Sequence, residues 1–192
     1  SSIVRPGKKL LVINNGVYGE RIGKIADAHQ IPRREVIAGW AERPDLGQLE
    51  QALAIDPQID AVALVHHETT TGLLNPVREV GALARRFDKL FFLDSVSGFG
   101  GEALDLEGSG VDLMACTANK CLHGLPGLAF VLVSGRAKAH LQQVPARSLY
   151  FDLKNLLVCS EAIALSAEAR KESRGGHFRE DFPDKDKTFA AL

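Results

Sequence analysis

The feature that most constrains this chain is an alternation. Short, almost uninterrupted apolar runs are separated by segments with helical spacing. KLLVIN (9–14), EVIA (35–38), DAVALVH (60–66), KLFFLD (89–94), VDLMAC (111–116) and LAFVLV (128–133) read as strands buried on both faces, the pattern of a parallel sheet. Between them YGERIGKIADAHQ (18–30), LGQLEQALAI (46–55) and NPVREVGALARRF (75–87) read as helices. In the third, Val77, Val80, Leu83 and Ala84 fall at i, i+3, i+6 and i+7, and Pro76 suits a helix start. Strand–helix–strand repetition with right-handed crossovers predicts a doubly wound α/β domain: a mostly parallel sheet of about six or seven strands with helices on both faces.

That architecture says where to look for chemistry. In open α/β sheets ligands collect beyond the carboxyl ends of the strands, which singles out Asn14 and Asn15, His66 to Thr71, Asp94 to Ser97, and Thr117 to Lys120. Asp94 ends an apolar strand on a carboxylate, and Lys120 follows its strand by four residues. Alone, the aspartate would be a turn former and the lysine a solvated surface residue. Together they match one chemistry: pyridoxal phosphate needs an amine for its aldehyde and a carboxylate beside its ring nitrogen.

Composition narrows the alternatives. With 192 residues, 45% hydrophobic and 24% charged, the chain can bury the core of one domain and part of a second. A net charge of -1 without long single-sign runs argues against nucleic-acid and membrane partners. Cys116, Cys121 and Cys159 form no CxxC pair, so neither a disulfide scaffold nor a metal site is expected, and a reducing cytoplasm is the simplest setting. The apolar run near the start is too short for a signal peptide, and no segment approaches the roughly 18 apolar residues of a membrane span. His66 and His67 are adjacent, point to opposite faces of a strand and read as packing residues.

The blocks NNGVYGERIGKIA, HHETTTGLLNPVREVGALARRF, FFLDSVSGFGGEALDL and TANKCLHGLPGLAFV, in that order, resemble the large domain of class V, fold-type I aminotransferases over about Lys8 to Leu153. The branch most resembled moves amino groups from 2-aminoethylphosphonate to pyruvate; the serine/alanine–glyoxylate branch is more distant. The resemblance implies pyridoxal 5'-phosphate as cofactor, small amine and keto acid substrates, a homodimer and ping-pong amino transfer. It makes Lys120 the Schiff-base lysine, Asp94 the partner of the pyridine nitrogen, and Tyr18 the aromatic ring against the cofactor face. Thr70, with Thr69 and Thr71 as competitors, would reach the phenolic oxygen, while Thr117 and Asn119 would hydrogen-bond toward the cofactor or its phosphate. Glu68 is left between a functional and a structural role.

Two departures accompany the match. The serine-rich helix start that holds the cofactor phosphate in this family is not recognised ahead of the first matched strand, and the small domain with the substrate arginine is not recognised either. Residues 155–186, ARKESRGGHFREDFP above all, resemble instead the C-terminal helical region of succinate dehydrogenase and fumarate reductase flavoproteins. The expected division is therefore a partial aminotransferase large domain, 1–153, and a helix with a charged tail, 154–192, in which Leu156 to Arg170 form the helix and Arg174, His177 and Arg179 are solvated. A noncatalytic α/β protein and a flavoprotein-related component are the competing classes.

Overall fold

The computed structural model describes residues 3–142 and 144. The expected helix over Leu156 to Arg170, the charged tail and the boundary near residue 153 lie outside the described residues.

Among the described residues, eight strands and four helices follow the order β1 (Lys9–Asn14), α1 (Val17–Ala28), β2 (Arg33–Ile37), α2 (Leu46–Ile55), β3 (Ile59–Val65), β4 (His67–Glu68), β5 (Leu73–Leu74), α3 (Val77–Arg86), β6 (Leu90–Asp94), β7 (Leu113–Thr117), β8 (Ala129–Val133) and α4 (Gly135–Leu141). Six strands form one sheet in the order β2-β1-β3-β6-β7-β8. The first five run parallel. All seven residues of β3, at the centre, are buried, as the unbroken apolar run IDAVALV requires. β4 and β5 form a separate small antiparallel hairpin, not foreseen from the sequence.

Helices cover both faces. On one, Leu49, Ala52 and Leu53 of α2 and Val77, Val80 and Ala84 of α3 pack on Leu11, Ile13, Val62, Leu64, Phe91, Leu93 and Met114. On the other, Ile22 and Ala26 of α1 and Ala137 of α4 pack on Val12, Ala61, Ala63 and Val65. Strand residues alternate between these two sets, so each face of the sheet carries its own core. Gly81 lets α3 approach closely, because a Cβ there would stand 1.8 Å from the Ser109 carbonyl oxygen. Helix starts use local chemistry: the Asp45 carboxylate accepts from the Gly47 and Gln48 amides at α2, and the Ser134 hydroxyl from Ala137 at α4.

One expectation needs correcting. LAFVLV reads as another buried parallel strand, but β8 pairs antiparallel with β7 and four of its five residues are exposed. The connection explains this: residues 118–128 form a loop, closed by hydrogen bonds from Ala118 N to Leu128 O and from Gly124 N to Ala118 O, so the chain reverses beside β7. A parallel neighbour would need a crossover of a dozen or more residues.

Candidate active site

The chain leaves β1 to the β2 side and later crosses to β3 on the opposite side, so the strand order reverses between β1 and β3. A crevice opens at such a reversal. Backbone bonds stitch the strand ends there: His66 N donates to Asp94 O at 2.8 Å, and Ser95 N to Ala115 O at 2.9 Å.

One cleft beyond these ends is lined by Tyr18, Val65, His67, Thr69, Asp94, Val96, Ser97 and Lys120. Four distant segments thus supply a phenol ring, a hydroxyl, a carboxylate and an amine to one space. Tyr18 stands in the first turn of α1, Asp94 closes β6, and Lys120 sits on the turn after β7. That turn is held by His123 N donating to Lys120 O and by the Cys121 thiol donating to Ser97 O at 3.2 Å. His123 adopts the left-handed conformation, φ 53°, which tightens it. A larger cavity of about 440 Å³, bordered by Asp112, Ser134 and Arg136, lies at the opposite end of the strands. Three of its polar side chains are engaged in holding the fold: Asp112 accepts from Phe91 N, Ser134 Oγ and Arg136 Nη1.

The electrostatics single out Asp94. Burial pushes its carboxyl above the ordinary carboxylate range, and the charge of Glu68 adds to that; the Val96 amide and Arg21 oppose without prevailing. Its one hydrogen bond here is from Val96 N to Oδ1, 3.1 Å. Desolvation also lowers the affinity of His66 for its proton, and Nδ1 of that ring lies 2.8 Å from Ser95 Oγ. Burial, with Asp94 second, raises the Cys116 thiol to about 11, so it is inert near neutrality.

The threonines divide. Thr69 faces the cleft, whereas the Thr70 hydroxyl donates to Glu68 Oε1 at 2.6 Å and that of Thr71 to the Glu68 carbonyl. Thr117, at the end of β7, is not among the residues lining the cleft, but its Oγ1 is the one buried side-chain oxygen or nitrogen among the described residues with no partner. Asn119 is exposed and outside the cleft lining. His67, read from the sequence as packing, borders the cleft; it stands on the short β4, a hairpin strand that the apolar pattern does not foretell. Among the described residues no group of three or more His, Cys, Asp or Glu side chains could hold a metal, and no helix is long and apolar enough to cross a membrane.

The residues present fit the group implied by the sequence, pyridoxal 5'-phosphate. A half-buried carboxylate that, among the described residues, makes no ion pair and takes one amide hydrogen bond suits a protonated ring nitrogen. An orphaned hydroxyl suits a polar ligand atom, and an aromatic side chain suits the face of a flat ring.

Comparison with known proteins places the chain in a family. Residues 32–155 match the family model "Aminotransferase class-V", and residues 142–191 match "Fumarate reductase flavoprotein C-term". A 2-aminoethylphosphonate–pyruvate transaminase of Vibrio vulnificus is 44% identical over 161 residues, which are 84% of this chain and 43% of that protein. The chain thus spans less than half the length of this curated relative. Among solved structures, the alanine–glyoxylate aminotransferase of Nostoc sp. superposes with a TM-score of 0.71 at 33% identity, covering 76% of this chain and 38% of that one. The pyridoxamine–pyruvate aminotransferase of Mesorhizobium loti gives 0.70 at 31% identity, covering 77% and 38%. With a family model matched across most of the sheet, and solved aminotransferases sharing its strand arrangement, the chain belongs to the class-V aminotransferase family.

Proposed function

We propose that this chain is the central part of an aminotransferase large domain that binds pyridoxal 5'-phosphate and moves the amino group of 2-aminoethylphosphonate to pyruvate, giving phosphonoacetaldehyde and alanine. The observation that carries the chemistry is the convergence of Tyr18, Thr69, Asp94 and Lys120 on one cleft. The choice of donor and acceptor rests on relatives in Vibrio and Salmonella, 40–44% identical, that are named for those substrates.

Each residue has a defined task in this reading. When bound, the cofactor supplies an electron sink for charge that develops on the carbon bearing the amino group. Asp94 accepts a hydrogen bond from the ring nitrogen and keeps that nitrogen protonated. Tyr18 packs against the ring face, and the Thr69 and Thr117 hydroxyls bond its polar atoms. Lys120 Nζ would be the covalent anchor and the base that takes the proton from the donor's amino-bearing carbon, while Asp94 would hold the ring nitrogen.

The reading extends to a cytoplasmic homodimer. Exposed Ile37 and Trp40 beside the strand ends offer apolar surface for a second subunit, and free Cys116 and Cys121 accord with a reducing setting. It also divides the chain into an aminotransferase part, 1–153, and a foreign tail, 154–192, supported by the two family models that meet at 142–155.

The test is to incubate the chain with pyridoxal phosphate, reduce with borohydride and map the adduct by mass spectrometry. Label on Lys120, lost in Lys120→Ala, is expected; a wild-type chain unlabelled at Lys120 overturns the reading. Alanine formed from pyruvate with 2-aminoethylphosphonate, but not with serine, tests the donor.

A further inference from the structure

Among the described residues Glu68 is the largest charged side chain buried completely, with 0% exposure. It stands on β4, yet its bonds reach 50 residues back along the chain. Oε2 accepts from the Tyr18 amide at 3.0 Å and from the Gly19 amide at 3.4 Å. Oε1 accepts from the Thr70 hydroxyl at 2.6 Å and from the Thr70 amide at 3.4 Å. All four hydrogen-bonding groups are donors, so the carboxylate is satisfied on both oxygens.

The start of α1 explains why a distant acid is needed. Its cap position is Gly16, which has no side chain to accept the first free amides of the helix. A Cβ on Gly16 would lie 2.4 Å from Glu68 Cγ, so the absent side chain leaves the room that Glu68 fills. The amides it accepts are those of Tyr18 and its neighbour, and the positive end of the helix dipole favours an anion there. The same carboxylate holds Thr70, which directly follows cleft-lining Thr69.

We propose that Glu68 is a positioning residue that ties two walls of the cofactor cleft together, setting the Tyr18 ring and the Thr69 hydroxyl at a fixed separation. This rests on the aminotransfer reading above. Glu68 touches no reacting atom; it acts through Tyr18 and Thr69.

The experiment compares wild type with Glu68→Ala, Glu68→Gln, Tyr18→Leu and the Glu68→Ala/Tyr18→Leu double variant. Readouts are the Kd for pyridoxal phosphate by absorbance titration, borohydride labelling of Lys120, and amide hydrogen exchange of Tyr18 and Gly19 without cofactor. Glu68→Ala should weaken binding about tenfold or more, the loss of one or two charge-assisted bonds, and speed exchange of both amides. Glu68→Gln should recover part of both, since its amide oxygen can accept from α1 while its NH2 donates to Thr70 Oγ1. The double variant should bind no more weakly than Tyr18→Leu with a further twofold, because one effect runs through the other. Asp60→Asn, remote from the cleft, controls for general destabilisation and should leave the Kd unchanged.

If Glu68→Ala does not fold, Glu68→Gln and the amide exchange carry the test. Lys120 labelled in wild type with a Kd unchanged in the folded Glu68 variants, or with fully additive losses, overturns the positioning role alone. Lys120 unlabelled in wild type overturns the aminotransfer reading and this role with it.

Discussion

Asp94 carries a cost that the cofactor is expected to remove, and Asp94→Asn separates the two states. The substitution keeps an oxygen to accept from Val96 N, now 3.1 Å away, and removes the charge that burial and Glu68 both disfavour. The folded carboxyl titrates above its unfolded value, so the stability it contributes is full below that unfolded value, about 3.9, and is lost as pH rises through the folded value. Above the folded value, without cofactor, the wild type has lost all of it. The variant should therefore unfold at the same temperature or higher, by about 2–4 °C for each kcal/mol relieved, with the difference shrinking toward pH 4. With pyridoxal phosphate the order reverses. A hydrogen bond between carboxylate and ring N–H⁺ contributes about 1.5–3 kcal/mol, so its loss weakens binding about 10- to 150-fold. At a cofactor concentration of 100 times the wild-type Kd, wild type gains about 2.7 kcal/mol and the variant about 0.3–1.4 kcal/mol. Thermal unfolding from pH 4 to 8, with and without cofactor, reads all of this. A variant that keeps the full cofactor gain, or that unfolds more than about 1 kcal/mol below wild type without cofactor at pH 8, would refute the pairing of Asp94 with the ring nitrogen.

Thr117→Val removes an unpartnered hydroxyl at nearly constant shape, so calorimetry should find stability unchanged or raised by up to about 1 kcal/mol. Its affinity for pyridoxal phosphate should fall about 2- to 12-fold, one neutral hydrogen bond; unchanged affinity would free Thr117 of a cofactor role. Asp60 gives the opposite pH dependence to Asp94. Burial alone would raise its carboxyl, but hydrogen bonds from the Arg5 side chain and amide overcome this and hold it low. Its contribution is thus present above the unfolded value and lost as pH falls through the folded one. Asp60→Asn should cost about 1–3 kcal/mol at pH 7 in urea unfolding, the lower end being favoured because Arg5 is 45% exposed, and the gap should close toward pH 3.

What could be read from the sequence follows from how local each signal is. KLLVIN and DAVALVH are buried by neighbours on both faces, so their apolar runs coincide with β1 and β3 to within a residue or so. Leu46–Ile55 matched its expected bounds because Asp45 caps it locally. LAFVLV has the same composition as a central strand, yet its direction and exposure were decided by the loop before it, which apolar periodicity does not encode. The site divides in the same way. Asp94 and Lys120 stand at strand ends, where a general rule of α/β sheets points, and both border the cleft. Which of three adjacent threonines faces it was not legible, because that depends on Glu68 taking the Thr70 hydroxyl.

Glu68 itself shows why the remainder stayed hidden. Its part in the site is a relation between residue 68 and residues 16 to 19, made only when β3 lies beside β1. In sequence, Glu68 is left between a functional and a structural role, and nothing links it to Gly16. In the fold, the glycine is the space and the acid is the cap that fills it. Loss of either should reach the cofactor by the same route: Gly16→Ala, which crowds Glu68 Cγ, should weaken pyridoxal phosphate binding without altering any group that lines the cleft.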